Sequence, residues 1–95
     1  MKVYLIGRIS GEPDDYDHFQ RAALKVRMMG HTVLSPMILP DGLDNEDYAH
    51  IFYSMMDVSE GVYFLDNWQE SAIAQEAFRY AQHTGKTILY ERVPA

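Results

Sequence analysis

Cysteine is absent from the 95-residue chain, which excludes disulfides, thiolate nucleophiles and cysteine-bound metals. Basic side chains are scarce: eight lysines and arginines stand against fourteen aspartates and glutamates, a formal charge of −6. A groove that tracks a nucleic-acid backbone gains affinity by neutralising phosphates, so no nucleic-acid partner is expected. A single nucleotide needs only one or two positive groups plus backbone amides, so small phosphorylated or sugar-containing ligands stay open. No apolar run approaches the eighteen or more residues of a membrane span, and the start has no signal-peptide pattern. A cytoplasmic protein with no membrane partner is the expectation. The histidines are dispersed at 18, 31, 50 and 83 with no close ligand pair, so neither a metal nor another cofactor is expected. Asp44, Glu46 and Asp47 do not have the spacing of a calcium loop.

What is present points to one small folded domain. Hydrophobic residues make up 47% of the chain and seven are tyrosines, enough to build a modest core at this length. Val3, Tyr4, Leu5 and Ile6 form a nearly unbroken apolar run ending at Gly7, as a strand covered on both faces requires. Asp14, Asp15 and Asp17 lead into a helix whose Phe19, Ala22, Ala23 and Val26 recur at helical spacing, with Gly30 as its C-terminal stop. His31–Ser35 reads as a second strand ended by Pro36, and Asp44 or Asn45 caps a second helix through about Met56. Gly61–Leu65 is a third strand, Glu70–His83 a third helix closed by Gly85, and Lys86–Tyr90 a fourth strand. The tail from Glu91 to Ala95 is too short to add a layer.

Strands alternating with helices predict a Rossmann-like three-layer α/β sandwich: a mostly parallel sheet of four or five short strands with about three helices on its two faces. Ligands of such sheets lie beyond the carboxyl ends of the strands, where the loops after Gly7, Ser35 and Leu65 converge. In the first loop, G-R-I-S-G is neither the dinucleotide fingerprint nor a P-loop, because the required glycine and lysine spacings are missing. The amides near Gly7, Ser10 and Gly11, the Ser10 hydroxyl and the Arg8 guanidinium can gather around an anion, or Arg8 can be solvated on a simple strand-to-helix turn. In the third loop, Asp66, Asn67 and Trp68 precede Ser71 and Glu76. Trp68 can offer its flat face to a base or pack over the start of the helix, and Ser71 can bind a sugar or start the helix. Glu76 is either a solvated helix carboxylate or a nucleophile for an anomeric carbon. Tyr4 either packs in the core or turns its hydroxyl to the pocket.

Lys2-Val-Tyr-Leu-Ile-Gly-Arg-Ile-Ser-Gly-Glu-Pro, Phe19 and Ala23, Gly30-His-Thr-Val-Leu-Ser-Pro36, and Trp68-Gln-Glu-Ser71 before Ala74 and Gly85 together resemble the small, often phage- or prophage-encoded DUF4406 proteins. That family looks like a compact branch of the nucleoside 2-deoxyribosyltransferases and deoxynucleoside-monophosphate N-glycosidases. The resemblance implies a Rossmann-like sheet, frequent homodimers, and Tyr4, Gly7, Ser10, Gly11 and Ser71 around a sugar or phosphate. It also implies a glutamate nucleophile on the third helix assisted by an aspartate near the second. The glutamate position falls on Ala77, one residue from Glu76, and the aspartate position falls on Phe52. The family also often has proline where Arg8 stands and a glycine near Ile73. The expected function is therefore nucleoside or nucleotide binding without the conventional catalysis. The alternatives are a glycosidase or deoxyribosyltransferase acting through Glu76, and a protein-interaction or homo-oligomeric module.

Overall fold

In a computed structural model, residues 1–92 are described; Val93, Pro94 and Ala95, the end of the tail expected to add no layer, lie outside them. Four strands, β1 (Lys2–Ile6), β2 (Thr32–Leu34), β3 (Gly61–Phe64) and β4 (Thr87–Tyr90), form a wholly parallel sheet in the order β2-β1-β3-β4. Three helices connect them: α1 (Pro13–Met28), α2 (Asn45–Val58) and α3 (Ala72–His83). This is the expected α/β sandwich with the lower of the two anticipated strand numbers. No helix of the described residues is long and apolar enough to cross a membrane.

The two faces of the central strands explain the unbroken apolar runs. Val3 and Leu5 pack with Phe19, Ala22, Ala23 and Val26 of α1, while Tyr4 and Ile6 pack with Met56 of α2 and Ala74 and Ala81 of α3. Successive strand residues point to opposite faces, so a strand between two helical layers has no position left for a polar side chain. β1 is paired on both sides, Tyr4 standing opposite Leu34 and Val62, and Ile6 opposite Phe64. Phe19, Leu5 and Phe64 are wholly buried, and each contributes about 2 kcal/mol of transfer free energy.

Local signals set the ends of the elements. Pro13 opens α1, where a missing amide donor costs nothing, and Gly30 follows its C-cap at φ +90°. Asp44 caps α2 by accepting the Asp47 amide at 3.0 Å. Ser71 caps α3 by accepting the Ala74 amide at 3.2 Å, which starts this helix two residues later than the periodicity suggests. Trp68–Glu70 ahead of it form a separate 3-10 turn, and a second 3-10 turn, Pro36–Ile38, follows the shortened β2.

Candidate functional site

A cavity of about 400 Å³ opens at the carboxyl end of β1, on the face covered by α2 and α3. Each of the three loops contributes to it: Ile9 from the first, Met37 and Leu39 to Asp41 from the second, and Ser71 from the third. β1 diverges at this point, its two neighbours being reached by chains that leave in opposite directions, which is where open parallel sheets form a crevice. Aromatic rings of Tyr48, Phe52 and Tyr53 on α2 line one wall. Tyr4 and Ile6 form the floor side, and Ser71, Ile73, Glu76 and Ala77 belong to the α3 wall. The charged lining residues are Asp41 and Glu76; no lysine, arginine or histidine lines the cavity among the described residues.

Tyr4, Ser71 and Glu76 are thus brought together around one space. Burial pushes the Tyr4 phenol well above its ordinary value, so it remains a neutral hydrogen-bond donor at any physiological pH. Ser71 starts the helix as its cap and also stands on the cavity wall. Glu76 is solvent-exposed at the rim and forms no ion pair among the described residues. Ala77 and Phe52, the positions where the resemblance places a glutamate and an aspartate, also face this cavity and present a methyl group and a ring.

The remaining anticipated residues lie elsewhere. The anion expected in the first loop is supplied by the protein itself. Asp15, buried in the first turn of α1, accepts the Ser10 amide at 2.6 Å and the Ser10 hydroxyl at 2.7 Å, with the Arg8 guanidinium 3.9 Å away. Burial alone would raise its pKa, but these hydrogen bonds, one from the Glu12 amide and the Arg8 charge hold it below the ordinary carboxylate value. Arg8 also reaches Glu70 at 3.3 Å, bridging the first and third loops on the outside, while its buried Nε has no hydrogen-bond partner among the described residues. Gly11 adopts φ +82° with open space around it. Gly7 is needed for a close approach: a Cβ there would stand 3.0 Å from Leu65 Cβ and 3.2 Å from Asn67 Oδ1. The first and third loops therefore touch directly, and the hollow lies beside their contact, toward α2.

Trp68 does not line the cavity. Its ring stacks on Phe78 at 5.0 Å and 23°, and tilts against Phe64 at 4.9 Å, closing the core over the start of α3. The flat surfaces facing the cavity belong to α2. Asp66 lies near His18 and Glu91 on the opposite side of the sheet. The signal that would have exposed the α2 wall was the cluster Tyr48, Phe52 and Tyr53, too aromatic for a helix that buries only Met56 fully.

A wholly parallel α/β sandwich with a ligand-sized hollow at the carboxyl edge of its first strand defines the class: a small Rossmann-like domain built around a strand-end crevice. Within that class the chain belongs to the family described as a domain of unknown function, DUF4406, whose model matches residues 1–90. No curated protein matches the chain. No solved structure matches it.

Proposed function

We propose that this protein binds a small, uncharged ligand with an aromatic ring and a polyol part, a non-phosphorylated nucleoside being the best fit. The observation that carries the reading is the lining of the strand-end cavity: three aromatic rings on one wall, hydroxyl groups at Tyr4 and Ser71, two carboxylates, and no cation among the described residues. Rings provide a stacking surface for a base, and hydroxyls and carboxylates accept or donate to sugar hydroxyls. A phosphate gains nothing there. The cationic groups it needs are absent from the lining among the described residues, and in the first loop the Ser10 amide and hydroxyl already hold Asp15. The volume, about 400 Å³, suits a ligand of nucleoside size. The resemblance to the nucleoside 2-deoxyribosyltransferases supports the same ligand class.

A second reading rests on Glu76 at the rim of that cavity. Its carboxylate would attack C1′ of a deoxynucleoside, the C1′–N bond would break with its electron pair leaving on the base, and the base would take a proton from water. A second water would then hydrolyse the glycosyl ester. Binding is preferred because Phe52 and Ala77 put apolar groups where the resemblance calls for the catalytic pair. Misplacement of a reacting group by about 1 Å already costs on the order of a hundredfold in rate.

One set of experiments tests both. Calorimetry with the common deoxynucleosides and their 5′-monophosphates should give saturable nucleoside binding and at least about tenfold weaker monophosphate binding. Tyr53→Ala, a change at an exposed ring, should weaken the nucleoside by about 1 kcal/mol. Equal affinity for the phosphorylated forms, or no nucleoside binding, would overturn the proposal. Chromatography of the same mixtures for free base, with Glu76→Gln as control, should show no enzyme-dependent release; release abolished by Glu76→Gln would establish the second reading instead.

A further inference from the structure

Across the sheet from the cavity, on the α1 side of the same edge, three side chains converge that the sequence keeps 25 or more residues apart. His18 comes from the second turn of α1, Asp66 from the loop after β3, and Glu91 from the residue that follows β4. One donor atom of each lies within 4.8 Å of the other two. His18 Nε2 stands 2.6 Å from Glu91 Oε1 and 3.5 Å from Asp66 Oδ1. The His18 and Glu91 side chains are 17% and 9% exposed, while Asp66 at 43% leaves the cluster open to solvent on one side. We propose that His18, Asp66 and Glu91 form a binding site for a divalent transition-metal ion of the zinc or manganese type, distinct from the nucleoside cavity and independent of it.

One imidazole and two carboxylates are a donor set that borderline divalent ions accept, with water completing the coordination through the open side. The three ligands sit on or beside elements already fixed by the parallel ladder and the α1 helix, so little chain must be ordered to assemble them. Glu91 continues that ladder, donating its amide to Phe64 O at 2.8 Å. Neighbouring groups orient the carboxylate: the Asp66 amide donates to Glu91 Oε1 at 3.0 Å, and Lys25 Nζ stands 3.7 Å from Oε2. Oε1, the oxygen facing His18, is the one directed into the cluster.

A chain of hydrogen bonds sets the resting tautomer of the imidazole. The Arg8 amide donates to Asn67 Oδ1 at 3.1 Å, so the Asn67 amino group faces His18 Nδ1 at 3.4 Å. Nδ1 is then the acceptor, and Nε2 carries the proton donated to Glu91. A metal on Nε2 requires that lone pair. The Nε2 proton passes to solvent and Nδ1 takes one from solvent, which frees the Nε2 lone pair for the metal. Asn67 must turn its carbonyl toward the new Nδ1–H, which releases the Arg8 amide. Metal binding is thereby written into the first loop as well as into the cluster.

Zinc chloride, manganese chloride and magnesium chloride titrated into ¹⁵N-labelled full-length protein, with parallel calorimetry, test the assignment. Expected are one saturable zinc or manganese ion per chain, a His18 ring spectrum that passes from Nε2–H to Nδ1–H with zinc, and zinc-dependent shifts of the Arg8 amide and Asn67 side-chain amide. His18→Gln and Asp66→Asn should each weaken binding by at least about tenfold. Asp66 is exposed, so its variant reports on ligation even if the His18 variant folds poorly. Failure of both zinc and manganese to saturate, tighter binding of magnesium, or affinity unchanged in Asp66→Asn would each overturn the proposal. So would zinc perturbing the ring of His31, whose Nδ1 lies 3.1 Å from the Met1 amine, while leaving His18 untouched.

Discussion

Asp15 shows how one side chain can decide what a loop is for. A run of polar donors after a first strand invites the inference of an anion site, and the inference is chemically sound: the donors do converge on an anion. That anion is a carboxylate three residues into α1, covalently part of the chain and at high effective concentration. Its charge-assisted bonds have a measurable consequence. Asp15→Asn keeps the shape but removes the charge, and should lower stability by about 1–2 kcal/mol at pH 6 in urea titrations. Because the folded pKa is depressed, the charge stabilises the fold above the unfolded value of about 4 and ceases to do so as pH falls through the lower folded value. The gap between wild type and variant should therefore shrink from pH 6 to pH 3. A gap that stays constant over that range would show that the carboxylate's charge is not what matters.

At the scale of elements, the contact between the first and third loops governs where the hollow forms. Gly7 lets the end of β1 pass against Leu65, and Asn67 then takes the Arg8 amide. Gly7→Ala would drive a methyl group onto Leu65 Cβ, an atom held by the buried backbone just after β3, and should cost about 1–3 kcal/mol. Gly11→Ala meets no neighbour and should cost only the strain of a positive φ, about 1 kcal/mol. Chemical denaturation of the two variants checks the order. Similar losses would mean that loop-to-loop packing is not what Gly7 serves. Ser71 illustrates why functional and structural readings need not compete: a helix cap at the carboxyl edge of a parallel sheet stands on the wall of the crevice by construction.

For the whole molecule, a formal charge of −6 and a cavity lined by Asp41 and Glu76 act in the same direction. Both repel a phosphorylated ligand, and the repulsion operates over a distance that salt shortens from about 10 Å at 0.1 M to about 3 Å at 1 M. Nucleoside affinity should hardly change between these conditions, whereas the weak monophosphate affinity should rise several-fold. Calorimetry at the two ionic strengths measures this, and a monophosphate affinity that falls with salt would reveal a cationic contact that the described residues of the cavity lining do not supply.

Much of the architecture was legible before any coordinates. Periodicity of two and 3.6, a proline or capping side chain at helix starts, and glycines at helix ends are local, and the local chain determines them. Hence β1, α1 and β3 fall within a residue or two of expectation, and Tyr4, Ser71 and Glu76 could be named from their places relative to strand ends. Periodicity cannot say which of several aromatic residues faces a hollow and which fills the core. Trp68 went to the core and Tyr48, Phe52 and Tyr53 to the cavity wall because α2 and α3 leave space between them above β1, a property of how two helices seat on a shared sheet. Nor could spacing join His18, Asp66 and Glu91, since parallel strand order alone carries their three segments to one edge. The sequence by itself determined the elements, their alternation and the acidic character of the surface, because these depend on neighbours along the chain. Only the tertiary structure decided which polar groups satisfy one another and which face open space, because those pairings depend on neighbours across it.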